Sequence, residues 1–205
     1  MTVPDVARLG ADNIVAFIAD IFHRRGADSY LGEPVTMSQH MLQAALLAEN
    51  AQAGDALVAA ALLHDIGHYT SEFPPDAQDQ GIDNRHNEAG AAVLAPYFPR
   101  SVTDCVRHHV PAKRYLCATD PDYFARLSDA SVLTLKLQGG PMDAAEVAAF
   151  RKLPNLDDIV RVRVWDDEAK VAGRQTPPFG HYQPLLQRLV DAHQPGHAIR
   201  SIQSV

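Results

Sequence analysis

The chain has 205 residues, 46% hydrophobic and 21% charged, with a formal net charge of −7. That length and balance fit one soluble domain able to bury a full core. The acidic balance argues against nucleic acid or an anionic membrane surface as the main partner, but not against a small anion bound where a metal reverses the local field. Cys105 and Cys117 are too few for a disulfide framework and suggest a reducing compartment. No leader or bilayer-spanning run is read, so the expected location is the cytoplasm.

The pattern along the chain is almost entirely helical. Ile14, Val15, Phe17, Ile18, Ile21 and Phe22 recur at helical spacing and predict a helix from about Asn13 to Arg25, closed at Gly26. Thr36 or Ser38 can cap a second helix that carries His40 ahead of Leu42, Ala45 and Leu46. A third starts near Asp55 and runs through Leu57-Val58-Ala59-Ala60-Ala61-Leu62-Leu63 into His64-Asp65, with Gly67 as its stop. Tyr69 to Arg85 reads as a long polar loop, of the kind that often forms a lid or site wall.

A fourth helix is predicted from about Asn84 to Tyr97, with His86 in its first turn. Ser101 to Asp104 has the spacing of a capping box and opens a fifth, ending near His109 and Pro111. Further helices are read over about Asp120 to Leu137, Asp143 to Lys152, Leu156 to Ala172 and Tyr182 to Ala192, with a frayed tail after Gln194. The expected fold is all-α, a single bundle of about eight helices spanning 1–205, with a core over about 30–173 and a C-terminal helix and tail over 174–205.

Burying His64 and Asp65 at the end of an apolar helix is costly unless something compensates, and a metal cation compensates well. His40, His64-Asp65, His86, His109 and Asp166 fall on five predicted helices, at their ends or on apolar faces. Several helices each giving one or two imidazole or carboxylate ligands make a metal site in a bundle core. Asp65, once ionised, has two oxygens and is able to bridge two cations.

The order His, His-Asp, His, His, Asp resembles the HD-domain superfamily over roughly Tyr30 to Gly173. Tyr30-x-x-Glu33 ahead of His40, His68 four after His64, Lys113 four after His109, Ser131, and Arg163 ahead of Asp166 resemble one branch of it. That branch comprises the mixed-valent di-iron oxygenases that cleave 1-hydroxyphosphonates, relatives of myo-inositol oxygenase. The resemblance implies a dinuclear Fe(II)/Fe(III) centre held by His40, His64, Asp65, His86, His109 and Asp166. It implies a substrate site of Tyr30, Glu33, His68, Lys113, Ser131 and Arg163, with Asp65, Tyr30 and Glu33 taking catalytic parts. Dioxygen is then the cosubstrate, and the reaction is oxidative cleavage of the C–P bond of a 1-hydroxy-2-(amino or trimethylammonio)ethylphosphonate to phosphate and glycine or glycine betaine. Four neutral histidines and two aspartates against a formal charge of about +5 on the irons would leave a positive centre for a dianionic substrate.

Other residues are read differently. His108 points about 100° from His109 on a helix and belongs to the surface or to the surroundings of the site. Asp167 competes with Asp166 as ligand, and the Trp-Asp match favours Asp166. His23, His181, His193 and His197 are surface residues. Tyr30, Tyr69 and Tyr115 are candidates for a cation–π contact to a trimethylammonium group. Two other classes stand beside the oxygenase. A metal-dependent HD phosphohydrolase acting on a nucleotide or phosphate monoester would use a bridging hydroxide on the same ligands. A regulatory HD module would bind without turnover. Oligomeric state is not legible.

Overall fold

The computed structural model describes residues 9–30, 32–70 and 83–194. Its helices are α1 (Ile14–Arg25), α2 (Met37–Asn50), α3 (Asp55–Leu63), α4 (His86–Leu94), α5 (Arg100–Thr119), α6 (Asp129–Leu137), α7 (Ala144–Phe150), α8 (Leu156–Glu168) and α9 (Phe179–His193). Short 3-10 turns lie at Ile66–Tyr69 and Phe124–Arg126. Among the described residues the only β pairing is one bridge between Ser29 and Thr36, so the expected all-α bundle is what forms.

The helix α3 is the axis of the bundle. Its Leu57–Leu63 stretch is apolar on every face and buried throughout, packed by α2, α5, α8 and α9. Each large aliphatic side chain buried there contributes about 1.5–3 kcal/mol. A helix with no polar face cannot slide outward, so it fixes His64 and Asp65 at the centre of the molecule. Among the described residues no helix is long and apolar enough to cross a membrane.

Local chemistry explains where elements begin and end. Thr36 caps α2 in a reciprocal box with Gln39, which settles Thr36 over Ser38. Gly67 does not stop α3, contrary to expectation: the α-helix has ended by His64, and Gly67 lies inside the following 3-10 turn. Its role is close approach, because a Cβ there would fall 1.7 Å from the His86 carbonyl oxygen.

The fifth helix also departs from its expected bounds. It starts at Arg100 behind Pro99, so Ser101 lies within its first turn and caps nothing. Pro111 does not end it. The missing proline N–H would have served the Arg107 carbonyl, and Asn87 Nδ2 donates to that oxygen instead at 2.6 Å. α5 therefore continues to Thr119 and carries Lys113 on the same run as His109.

The helix expected over 120–137 is broken in two. Asp120 precedes Pro121 and is held extended, at φ −119° and ψ 106°. Only after Ser128 caps the Ser131 N–H does α6 begin. α8 stops at Glu168 rather than near Ala172, because the chain beyond it is taken by Gln43. That amide donates to the Val171 carbonyl at 2.9 Å and accepts from the Val171 N–H at 3.1 Å. Of the loop expected over Tyr69 to Arg85, residues 71–82 lie outside the described residues, as does the tail from 195.

Candidate metal centre

The six expected ligands, His40, His64, Asp65, His86, His109 and Asp166, converge in the bundle core, and all are buried. Three helices (α2, α5 and α8), the end of α3 and the start of α4 deliver them. Their ring tautomers follow from what the Nδ1 atoms touch. His40 Nδ1 meets the Ala169 carbonyl at 3.1 Å, His64 Nδ1 the Ala61 carbonyl at 2.8 Å and His109 Nδ1 the Val106 carbonyl at 2.7 Å. His86 Nδ1 meets Asn84 Oδ1 at 2.9 Å. Those oxygens only accept, so each Nδ1 carries a proton and, in the neutral ring, each Nε2 is a bare lone pair.

The bare nitrogens face each other in pairs. His40 Nε2 and His64 Nε2 are 3.0 Å apart, and His86 Nε2 and His109 Nε2 are 3.1 Å apart. Two lone pairs at that distance repel unless a cation lies between them. Asp65 divides its carboxylate between the pairs. Oδ2 lies 3.4 and 3.3 Å from His40 and His64, and Oδ1 lies 3.3 Å from both His86 and His109. Asp166 Oδ1 joins the first cluster, 3.3 Å from His40 and 3.7 Å from His64. Asp65 Oδ2 and Asp166 Oδ1 are buried without a hydrogen-bond partner in the structure.

These donors fit metal ions. Ligand bonds of about 2.1 Å meeting near a right angle put adjacent donor atoms about 3.0 Å apart, which matches the imidazole pairs. Buried acceptors with nothing to accept from are otherwise costly. The charges around these side chains point the same way. Burial opposes charge on His40, but the adjacent carboxylates of Asp166 and Asp65 outweigh it and carry the ring up to about 9, so a proton stands where a cation is wanted. Burial would raise the Asp65 carboxyl, yet His64, His109 and His40 hold it well below the usual range. Asp166 is likewise opposed by burial but held low by Arg163 and the two histidines. Burial lowers His109 to about 4, so it offers a neutral ring.

Arg163 arranges the first cluster from behind. Its Nη1 is 2.6 Å from Asp166 Oδ2, which turns Oδ1 toward the histidines. Its Nε and Nη2 grip both oxygens of Asp167, and Tyr123 OH donates to Asp167 as well. Asp167 thus faces the guanidinium and not the histidine cluster.

A small cavity of about 30 Å³ opens beside the centre, and all six expected substrate residues line it: Tyr30, Glu33, His68, Lys113, Ser131 and Arg163. Glu33 N–H donates to the Tyr30 carbonyl at 2.7 Å, and Gly32 takes φ 77° in that turn, which brings both side chains to one wall. Tyr30 stacks on His40 with centroids 4.0 Å apart. Burial, then the charge of Asp65, raises its phenol well above the usual range, so it stays protonated.

Lys113 Nζ donates to Thr134 Oγ1 at 2.7 Å, and burial lowers its ammonium to about 7. Ser131 Oγ receives a bond from Lys170 Nζ at 2.9 Å. Lys170 was missed by the sequence reading, although its place four residues after Asp166 was a usable signal. It also stands 3.5 Å from Glu33, which accepts from Ser128 Oγ at 2.5 Å.

Some expected neighbours are elsewhere. Tyr69 holds the Arg25 carbonyl and guanidinium, and Tyr115 packs on Phe150, so of the three tyrosines only Tyr30 lines the cavity. His108 is half-buried against Phe150, and His181 pairs with Glu49. Cys105 and Cys117 are free thiols.

Comparison with known proteins places the chain in a family. A family model described as HD domain matches residues 37–143, just over half of the chain. The chain is 56% identical over 193 residues to the 1-hydroxy-2-(trimethylamino)ethylphosphonate dioxygenase (glycine-betaine-forming) of Leisingera caerulea, covering 94% of this chain and 98% of that one. It is 45% identical over 165 residues to the hydroxymethylphosphonate dioxygenase of Gimesia maris, covering 80% and 82%. The chain belongs to the HD-domain family, in the branch that includes these phosphonate dioxygenases.

Proposed function

We propose that this chain is a di-iron dioxygenase that cleaves the C–P bond of 1-hydroxy-2-(trimethylammonio)ethylphosphonate, releasing phosphate and glycine betaine. The observation that carries this is a single carboxylate, Asp65, set between two pairs of bare imidazole nitrogens at the wall of a cation-lined cavity. The choice of a trimethylated over a primary amine is supported by the 56% identity to the betaine-forming relative.

His40, His64 and Asp166 would hold one iron, His86 and His109 the other, and Asp65 both. When bound, this pair supplies activation of dioxygen and Lewis acidity toward the substrate oxygens. The balance is simple. The hydroxyphosphonate and one dioxygen give a carboxylate, hydrogen phosphate and one proton; the C1–H and C–P bonds break, and both oxygen atoms enter the products.

The chain's own side chains place the substrate. Lys113, Lys170, Arg163 and Ser131 surround the position for the phosphonate with positive charge and donors. Glu33 provides the negative charge for the quaternary nitrogen. A trimethylammonium group has no N–H to donate, so Glu33 can keep its bond from Ser128 while attracting it. Tyr30, protonated and stacked on His40, guards the first cluster.

The test is phosphate release by iron-loaded chain from the trimethylammonio and the primary-amine hydroxyphosphonates, with and without dioxygen. The reading expects oxygen-dependent phosphate, faster from the trimethylated substrate, with glycine betaine as co-product. Phosphate from an ordinary phosphate ester in the absence of oxygen, and none from either phosphonate, would put the hydrolase in its place.

A further inference from the structure

His68 and His86 are stacked, with centroids 4.1 Å apart and rings 14° from parallel. Both aim Nε2 at Asp65 Oδ1, from 3.9 and 3.3 Å, and the three side chains form a compact group of possible ligands. By residue type and aim, either ring could take a metal. What separates them is Asn84, a buried side chain that touches the Nδ1 atom of each.

The orientation of that amide is fixed by the backbone. The His86 N–H donates to the Asn84 side chain at 3.3 Å, and an N–H can donate only to the amide oxygen. The same oxygen accepts the His86 Nδ1–H at 2.9 Å. The amide nitrogen is therefore the atom 3.1 Å from His68 Nδ1, and that ring nitrogen must accept. A neutral imidazole carries one ring proton. His86 is left with a lone pair on Nε2, and His68 with a proton on Nε2.

The backbone favours this arrangement. Arg85 adopts the left-handed conformation at φ 49°, uncommon for a residue with a side chain, and its N–H is held by Asp83 Oδ1 at 3.1 Å. The chain thereby turns from Asn84 into α4 with the amide folded back over His86.

We infer that Asn84 is a positioning residue that gives two stacked histidines opposite tasks, His86 as a metal ligand and His68 as a hydrogen-bond donor to the substrate anion. This rests on the metal and phosphonate reading above and adds a physical link between the two subsites. One amide sets the protonation pattern of both, so a change there is felt in metal affinity and in anion binding together.

The experiment uses the full chain loaded with zinc(II), which is diamagnetic, and long-range ¹H–¹⁵N correlation spectra of its ¹⁵N-labelled histidines. In the wild type, His68 Nδ1 should be unprotonated and Nε2 protonated, with His86 showing the reverse pattern and Nε2 bound to metal. Asn84→Asp keeps an acceptor for His86 but cannot donate to His68. It should retain two zinc ions while a proton appears on His68 Nδ1. Asn84→Leu, which removes the acceptor, should weaken zinc binding at the His86 cluster by about 10–100-fold.

A wild-type His68 protonated on Nδ1, or bound to zinc through Nε2, overturns the inference. So does an Asn84→Asp variant whose His68 Nδ1 stays bare, or an Asn84→Leu variant with undiminished zinc affinity. A wild-type chain that binds fewer than two zinc ions overturns the metal reading and this inference with it. Two ions with the wrong His68 tautomer overturn this one alone.

Discussion

Arg163 holds Asp166 by an ion pair of 2.6 Å to Oδ2 and so leaves Oδ1 directed at His40 and His64. The guanidinium is itself fixed by a two-pronged grip on Asp167. Lysine carries the charge without the planar fork and cannot hold both carboxylates at once. Arg163→Lys should lower metal affinity at the first cluster by about 10-fold or more, read by metal titration, and leave the His86–His109 cluster nearly unchanged.

Gly67 lets the turn after Asp65 lie directly on the start of α4. Its missing Cβ would overlap the His86 carbonyl oxygen at 1.7 Å and the Gly90 nitrogen at 2.6 Å. Both obstacles are backbone, so neither can rotate away. Gly67→Ala should destabilise the fold by about 1–3 kcal/mol, towards the upper end, and weaken metal binding by moving His86. Thermal unfolding and metal content check the two parts.

The Asn87 amide stands in for the backbone N–H that Pro111 lacks. Asn87→Ala leaves the Arg107 carbonyl without that donor, at a cost of about 1–3 kcal/mol. Adding Pro111→Ala returns an N–H to the helix and should recover a large part of the loss. Denaturant unfolding of the single and double variants measures this coupling; independent, additive effects would disprove it.

Lys113 gives the pH dependence its sign. Burial, reinforced by the neighbouring charge of Arg163, lowers its ammonium to about 7. It is therefore charged below about 7 and loses its pull on an anion as the pH rises through that value. The affinity ratio of wild type to Lys113→Met for phosphonate should be largest in acid and narrow above neutrality. Taking the ratio cancels the ionisation of the ligand itself. The folded value lies below that of the unfolded chain, which takes up the extra proton between them, so this group adds stability as pH rises across that window.

Part of the central cluster was legible in the sequence because it stands in local patterns that survive folding. His64-Asp65 ends an apolar run, and Arg163 lies one helical turn before Asp166. Asn84 and Lys170 were not read. Asn84 acts through two rings brought together only when the turn at Arg85 folds back, and Lys170 meets Ser131 across 39 residues. The missed helix bounds have a similar cause. Pro111 reads as a breaker until Asn87, from another helix, supplies the absent donor. By contrast the break at Asp120 was available from Pro121 alone.

The bridged centre requires Asp65 to hold two ions at once, and counting metal tests that most directly. Purified wild-type chain loaded with iron should carry two ions per chain by elemental analysis, and Asp65→Ala should carry none. One ion in the wild type, or two retained by Asp65→Ala, would contradict the bridged centre.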